Sequence, residues 1–80
     1  RNRLQNRFYK TSVRTLTKLF LTHLEAYQQS PTEENKKTVQ QTLNSTYSFI
    51  DKAYKKNIFH KNTAARKKST LNFVLNSSLD

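Results

Sequence analysis

The sequence predicts an all-α fold: an antiparallel three-helix bundle with a long, basic first helix. Three observations carry this. Glycine is absent and proline occurs once, so the residues that turn one strand into the next are missing. Apolar residues recur at helical spacing in three segments. Between those segments, at residues 30–33 and 57–63, stand helix stop and start signals.

The first helix is expected over about residues 2–29. On a helical wheel, Leu4, Phe8, Val13, Leu16, Leu19, Phe20, Leu24 and Tyr27 fall on one side. Arg3, Arg7, Lys10, Arg14 and Lys18 follow one another at three- and four-residue steps and form a narrow stripe on the other side. Such a helix is about 40 Å long.

The second helix is expected over about residues 31–56. Ser30-Pro31-Thr32-Glu33 reads as a capping box with Pro31 in the first helical position. Glu33 and Glu34 suit the positive end of the helix dipole, and Lys55 and Lys56 suit the negative end. Val39, Leu43, Tyr47, Ile50, Ala53 and Tyr54 have helical spacing. Asn57 is the expected left-handed residue after the helix, because Asn tolerates that conformation where Gly is lacking. Ile58 and Phe59 are then expected to plug the core at the turn.

The third helix is expected over about residues 63–76, with Asn62 as N-cap and Thr63-Ala64-Ala65 as its first turn. Ala64, Leu71, Val74 and Leu75 share a face. Short connections make sequential helices antiparallel neighbours. The 80 residues form a single domain, 1–80.

The chain has no cysteine, which excludes a disulfide framework and any cysteine zinc site. No apolar run approaches the roughly 18 residues that a membrane span needs, and no signal peptide is visible. The chain opens on Arg1 and not on Met, so a preceding arm is expected. The net charge is +10, from 15 Lys and Arg against 5 Asp and Glu, which favours an anionic partner. The charge is also sorted. Residues 1–18 and 52–68 hold six and seven basic residues with no acid, and between them lie four acids and two lysines.

A charged stripe on a helix is usually only a solvated face, but a solvated face mixes signs at i,i+4 spacing. Five successive cations repel one another unless an anion lies along them. The stripe therefore reads as a phosphate-backbone surface. The run His60-Lys61-Asn62-Thr63-Ala64-Ala65-Arg66-Lys67-Lys68 is the sharper signal. Cations at a helix N-terminus oppose the dipole, whereas a phosphate there gains from free N–H groups, dipole and cations together. Arg66 can fork onto a phosphate or a base edge. Arg66, Lys67 and Lys68 are consecutive and are expected to point around the helix. Asn62 serves as cap, or as cap and polar contact. His60 and His23 have no acid or base partner that would support catalysis or metal binding. The aromatics Phe8, Tyr9, Phe20, Tyr27, Tyr47, Phe49, Tyr54, Phe59 and Phe73 could stack on bases, but most lie on apolar faces and are assigned to the core. No phosphate loop can form without glycine, and no nucleophile has a base beside it.

Two stretches then carry a resemblance. "RNRLQNRFYKTSVRT" and "IDKAYKKNIFHKNTAARKKS" closely resemble the bacterial-type small-subunit ribosomal protein twenty family. The matching residues are Arg1-Asn2-Arg3, Asn6-Arg7 and the run from His60 to Ser69. The likeness spans essentially the whole chain, with little identity over residues 19–49. It implies a three-helix bundle that binds small-subunit ribosomal RNA early in assembly, a lysine-rich arm ahead of Arg1, and no enzymatic activity. The chain departs from the family pattern in three places. Asn57 stands where Gly is usual, Phe59 where an aliphatic residue is usual, and Thr70 where Arg is common.

The function expected is thus a structural constituent of the small ribosomal subunit. It binds small-subunit ribosomal RNA through basic helix faces and supports its folding and assembly, beside other small-subunit components. The RNA-binding residues expected are Arg1, Asn2, Arg3, Asn6, Arg7, Lys10, Arg14, Lys18, Lys56, His60, Lys61, Asn62, Thr63, Arg66, Lys67, Lys68 and Ser69. No catalytic residue, metal, cofactor, membrane or small-molecule substrate is expected. Abundant Asn and Lys with few Gly, Ala and Pro lean towards an AT-rich genome, and so towards a plastid ribosome over a bacterial one. The alternatives are a basic helical DNA-binding module and a basic amphipathic helix at a membrane surface.

Overall fold

The computed structural model describes residues 3–79. Helix α1 spans Arg3–Gln29, α2 spans Glu33–Lys55 and α3 spans Lys61–Leu79, with no strand among the described residues. Cross-helix pairs fix the directions. His23 Nδ1 lies 2.8 Å from Thr42 Oγ1, whereas Tyr9, earlier on α1, packs on Phe49, later on α2. The two helices are antiparallel. Tyr47 Oη donates to the Lys68 carbonyl (3.3 Å), and Tyr54 shares a groove with Lys61, so α2 and α3 are antiparallel too. Helix α3 therefore runs parallel to α1. It begins beside Lys10–Lys18 and reaches the level of Leu24 and Gln28 at Val74 and Ser78.

The core forms where the three apolar faces meet. It holds Val13, Phe20 and Leu24 from α1, Val39, Leu43, Ile50 and Ala53 from α2, Phe59 from the turn, and Ala64 and Leu71 from α3. Phe20 and Ile50 are completely buried. Each stabilises the bundle by about 1.5–3 kcal/mol through burial alone. Val74, Leu75 and Ile58 pack against the edge of the core, the first two as the periodicity requires and Ile58 from the turn.

Two buried threonines on α2 are absent from the apolar set. Thr46 Oγ1 donates to the Thr42 carbonyl (2.8 Å), and Thr42 Oγ1 donates to the Thr38 carbonyl (2.9 Å). Bonding back to its own helix lets each hydroxyl be buried without an unpaired donor. Since the Thr42 proton is committed, its oxygen accepts from His23, which fixes the His23 proton on Nδ1.

The caps differ from those expected. Thr32, not Ser30, caps α2: its backbone is extended (φ −98°, ψ 162°) and its Oγ1 accepts from the Asn35 N–H. Ser30 contributes its carbonyl, which accepts from Asn35 Nδ2 at 2.8 Å, and Pro31 precedes the cap. At the other end Asn57 adopts φ 62°. Its N–H donates to the Tyr54 carbonyl, and that of Ile58 donates to the Ala53 carbonyl, which is the Schellman pattern. Helix α3 starts at Lys61, so Asn62 is inside it. The cap is His60, whose Nδ1 accepts the Asn62 N–H (3.1 Å) and whose carbonyl accepts the Ala64 N–H (3.0 Å).

Four residues assigned to apolar faces are exposed: Leu4 (72%), Phe8 (56%), Leu19 (43%) and Tyr54 (44%). For Leu4 and Phe8 the reason is register. Helix α3 begins level with Lys10 and runs away from the N-terminal end of α1, so only α2 flanks the first two turns.

Candidate nucleic-acid interface

The stripe on α1 forms as its spacing requires. Arg3, Asn6, Arg7, Lys10, Thr11 and Arg14 line one shallow groove along the helix, with no acid among them. The lower part of the same stripe meets the start of α3. Lys10, Val13, Arg14, Thr17 and Lys18 form one wall of a second groove, and Ile58, Phe59, His60, Thr63 and Lys67 form the other.

Local folding explains why these two segments meet. The Schellman turn at Asn57 reverses the chain, and burial of Phe59 in the core anchors the first residues of α3 against Val13. His60, Thr63 and Lys67 are three and four residues apart, so α3 presents all of them on one side. Lys67 Nζ lies 5.4 Å from the Phe59 ring centroid, a cation–π contact that holds the ammonium at the groove wall. Thr17 Oγ1 is turned back onto the Val13 carbonyl (2.8 Å).

The groove thus gathers Lys10, Arg14, Lys18 and Lys67 around the N-terminus of α3 and is lined by no carboxylate. The helix dipole adds to the positive potential of these side chains. Chemically, the arrangement can hold a chain of phosphates.

The described acids lie elsewhere. Glu33 and Glu34 occupy the first turn of α2, and Glu25 borders a groove with Leu21 and Val74. Asp51 forms an ion pair with Lys68, whose Nζ also lies 5.8 Å from the Tyr47 ring centroid. Lys68 is therefore turned to α2 and not to the basic groove. Lys61 shares that α2-facing side with Asp51, Tyr54, Ala64 and Ala65. Arg66, Asn62, Ser69 and Lys56 are exposed outside the groove, Lys56 as the C-cap of α2. Arg1 and Asn2 lie outside the described residues. Sequence reasoning missed Thr11 and Thr17 in the groove walls and the Asp51–Lys68 pair. Asp51 is the only acid in the second half of α2, which was a signal for that pair. Among the described residues, no three His, Cys, Asp or Glu side chains group as metal ligands, and no helix is long and apolar enough to cross a membrane.

Fold and groove define the class: a small, basic, all-α protein with one acid-free cationic face. The family model described as Ribosomal protein S20 matches residues 1–76. The chain is 63% identical over 71 residues to small ribosomal subunit protein bS20c of Phaeodactylum tricornutum, covering 89% of this chain and 76% of that one. It is 62% identical over 71 residues to bS20c of Trieres chinensis, with the same coverage, 89% and 76%. It is 49% identical over 79 residues to bS20 of Prochlorococcus marinus (strain AS9601), covering 99% and 81%. No solved structure matches. The chain belongs to the ribosomal protein S20 family. That family consists of structural ribosomal proteins, and the protein is not an enzyme.

Proposed function

We propose that this protein is a structural constituent of the small ribosomal subunit that binds small-subunit ribosomal RNA directly and supports its folding and assembly. One observation carries the reading: cations from α1 and from the start of α3 converge on a single groove with no acid in its lining. A folded RNA, with phosphates brought close from different strands, matches such a two-walled site. Recognition is of backbone and shape, because A-form RNA hides its major-groove edges from side chains. The bS20c names of two relatives support a plastid ribosome over a bacterial one.

If roughly six to eight phosphates are neutralised, log affinity falls with log salt at a slope of about −4 to −7. The test is equilibrium binding of the purified chain to small-subunit ribosomal RNA across a salt series, with duplex DNA and anionic vesicles as competitors. A slope near zero removes the electrostatic mechanism, and stronger competition by DNA or vesicles than by RNA replaces it with another ligand.

A further inference from the structure

Beside the basic stripe lies a second groove of different chemistry. Its walls include Leu4, Phe8, Leu16 and Phe49, and its volume is about 610 Å³, within the range of sites that take small, flat ligands. Phe8 is 56% exposed and shares the groove with Leu4, 72% exposed, so the two form one open apolar patch. The ring is nevertheless held in place. It meets Tyr9 at 5.4 Å and 83° and Phe49 at 6.2 Å and 60°, both edge-on contacts and neither a stack. Phe49 is anchored in turn by packing against the core and by Lys52, whose Nζ lies 5.5 Å from its centroid.

Arg7 and Thr11 line this apolar groove and also the cationic groove of Arg3, Asn6, Lys10 and Arg14. An occupant of the first groove therefore abuts an anion site across the thickness of one side chain. An apolar helix from another protein would seat its backbone and its own cations or neutral groups against that row of arginines and lysines, with nothing to neutralise them. A nucleotide matches both halves, since its base is flat and largely apolar on its faces and its phosphate is anionic.

We propose that the Phe8–Phe49 groove receives an unstacked RNA base, whose 5′ or 3′ phosphate lies on the Arg7 side. The inference rests on the RNA-binding reading above and deepens it. Stacking of a base on an aromatic ring is sequence-tolerant and adds affinity without adding an ionic contact.

The test uses the full chain and protein-free small-subunit ribosomal RNA, with Phe8→Ala, Phe8→Leu and Phe8→Trp variants, each checked for unchanged helicity by circular dichroism. Phe8→Ala and Phe8→Leu are expected to weaken binding by about 5- to 100-fold while leaving the salt slope unchanged. Phe8→Trp is expected to bind as wild type does. The chain has no tryptophan, so the new indole is a sole reporter, and its emission is expected to be quenched on binding. Wild-type affinity in Phe8→Ala or Phe8→Leu overturns the proposal, as does an unquenched indole in the bound Phe8→Trp chain. If those variants bind normally with a steep salt slope, the base site fails and the cationic groove stands. If the wild-type chain itself fails to bind RNA, both fail.

Discussion

His60 shows how much can turn on one ring nitrogen. Asn is a better N-cap than His on propensity, and Asn62 is two residues away, so the sequence favours the wrong residue. What decides the matter is the preceding turn. Phe59 must reach the core, and that requirement brings the chain into helical geometry at Lys61, two residues too early for Asn62 to cap. His60 Nδ1 then occupies the place of an Asx oxygen and accepts the Asn62 N–H. Accepting this bond requires a lone pair on Nδ1, so any proton of the neutral ring sits on Nε2. His60→Ala is expected to cost about 1 kcal/mol, the usual value of a lost N-cap, and His60→Asn to restore most of it. Urea denaturation followed by circular dichroism measures both. Equal loss in the two variants would show that the ring contributes by packing and not by capping. The same reasoning explains Thr46. Its hydroxyl is invisible to an apolar pattern, yet bonding to the Thr42 carbonyl allows complete burial.

At the scale of elements, the three helices are unequally secured. Helix α2 has a side-chain cap, two glutamates in its first turn and two lysines in its last. Helix α3 has no acid in its first turn and starts on Lys61, against the dipole. Among the described residues, Ala64 and Leu71 are its buried core members, against four for α2. In the free protein, α3 is accordingly expected to have the lowest amide-exchange protection of the three helices, because local opening follows the elements with least buried apolar contact. Adding small-subunit ribosomal RNA should raise protection most in α3. Uniform protection in the free chain contradicts this. The existence of each helix was legible in the sequence, since periodicity, the absence of glycine and the Asn57 stop all agree. The caps were less legible, because Ser30 and Thr32 both have the right chemistry and only chain direction selects between them.

For the molecule as a whole, the basic groove joins residues more than forty positions apart, Lys10 to Lys18 with His60 to Lys67. If the two walls act on one RNA surface, Arg14→Ala with Lys67→Ala should weaken binding and make the salt slope shallower by about 1.5, roughly 0.7–0.9 per lost phosphate contact. Lys68→Ala is the matched control. It removes the same charge from α3, but from the side that faces Asp51, and should change the slope by less than half of the roughly 0.7–0.9 expected for one lost phosphate contact. Its effect on stability should be small, because both partners of that pair are substantially exposed and such pairs contribute about 0–1 kcal/mol. Equal slopes for Lys67→Ala and Lys68→Ala would indicate diffuse attraction to net charge in place of a defined groove.

The sequence by itself determined the helices, their approximate limits, the main buried residues such as Phe20, Ile50 and Leu71, and the basic stripe on α1. All of these follow from periodicity and charge over short separations, where local geometry is nearly fixed. The pattern of the two basic segments also sufficed to indicate the family. The tertiary structure alone decided the register of α3 against α1. That register turns Lys67 towards Arg14 and Lys68 towards Asp51, although the two lysines are adjacent in the chain. It also leaves Leu4 and Phe8 uncovered, because the third helix starts too far along the first to reach them. A helical repeat states which residues share a face. It does not state how far a neighbouring helix extends along that face, which is fixed by a turn that must bury Phe59.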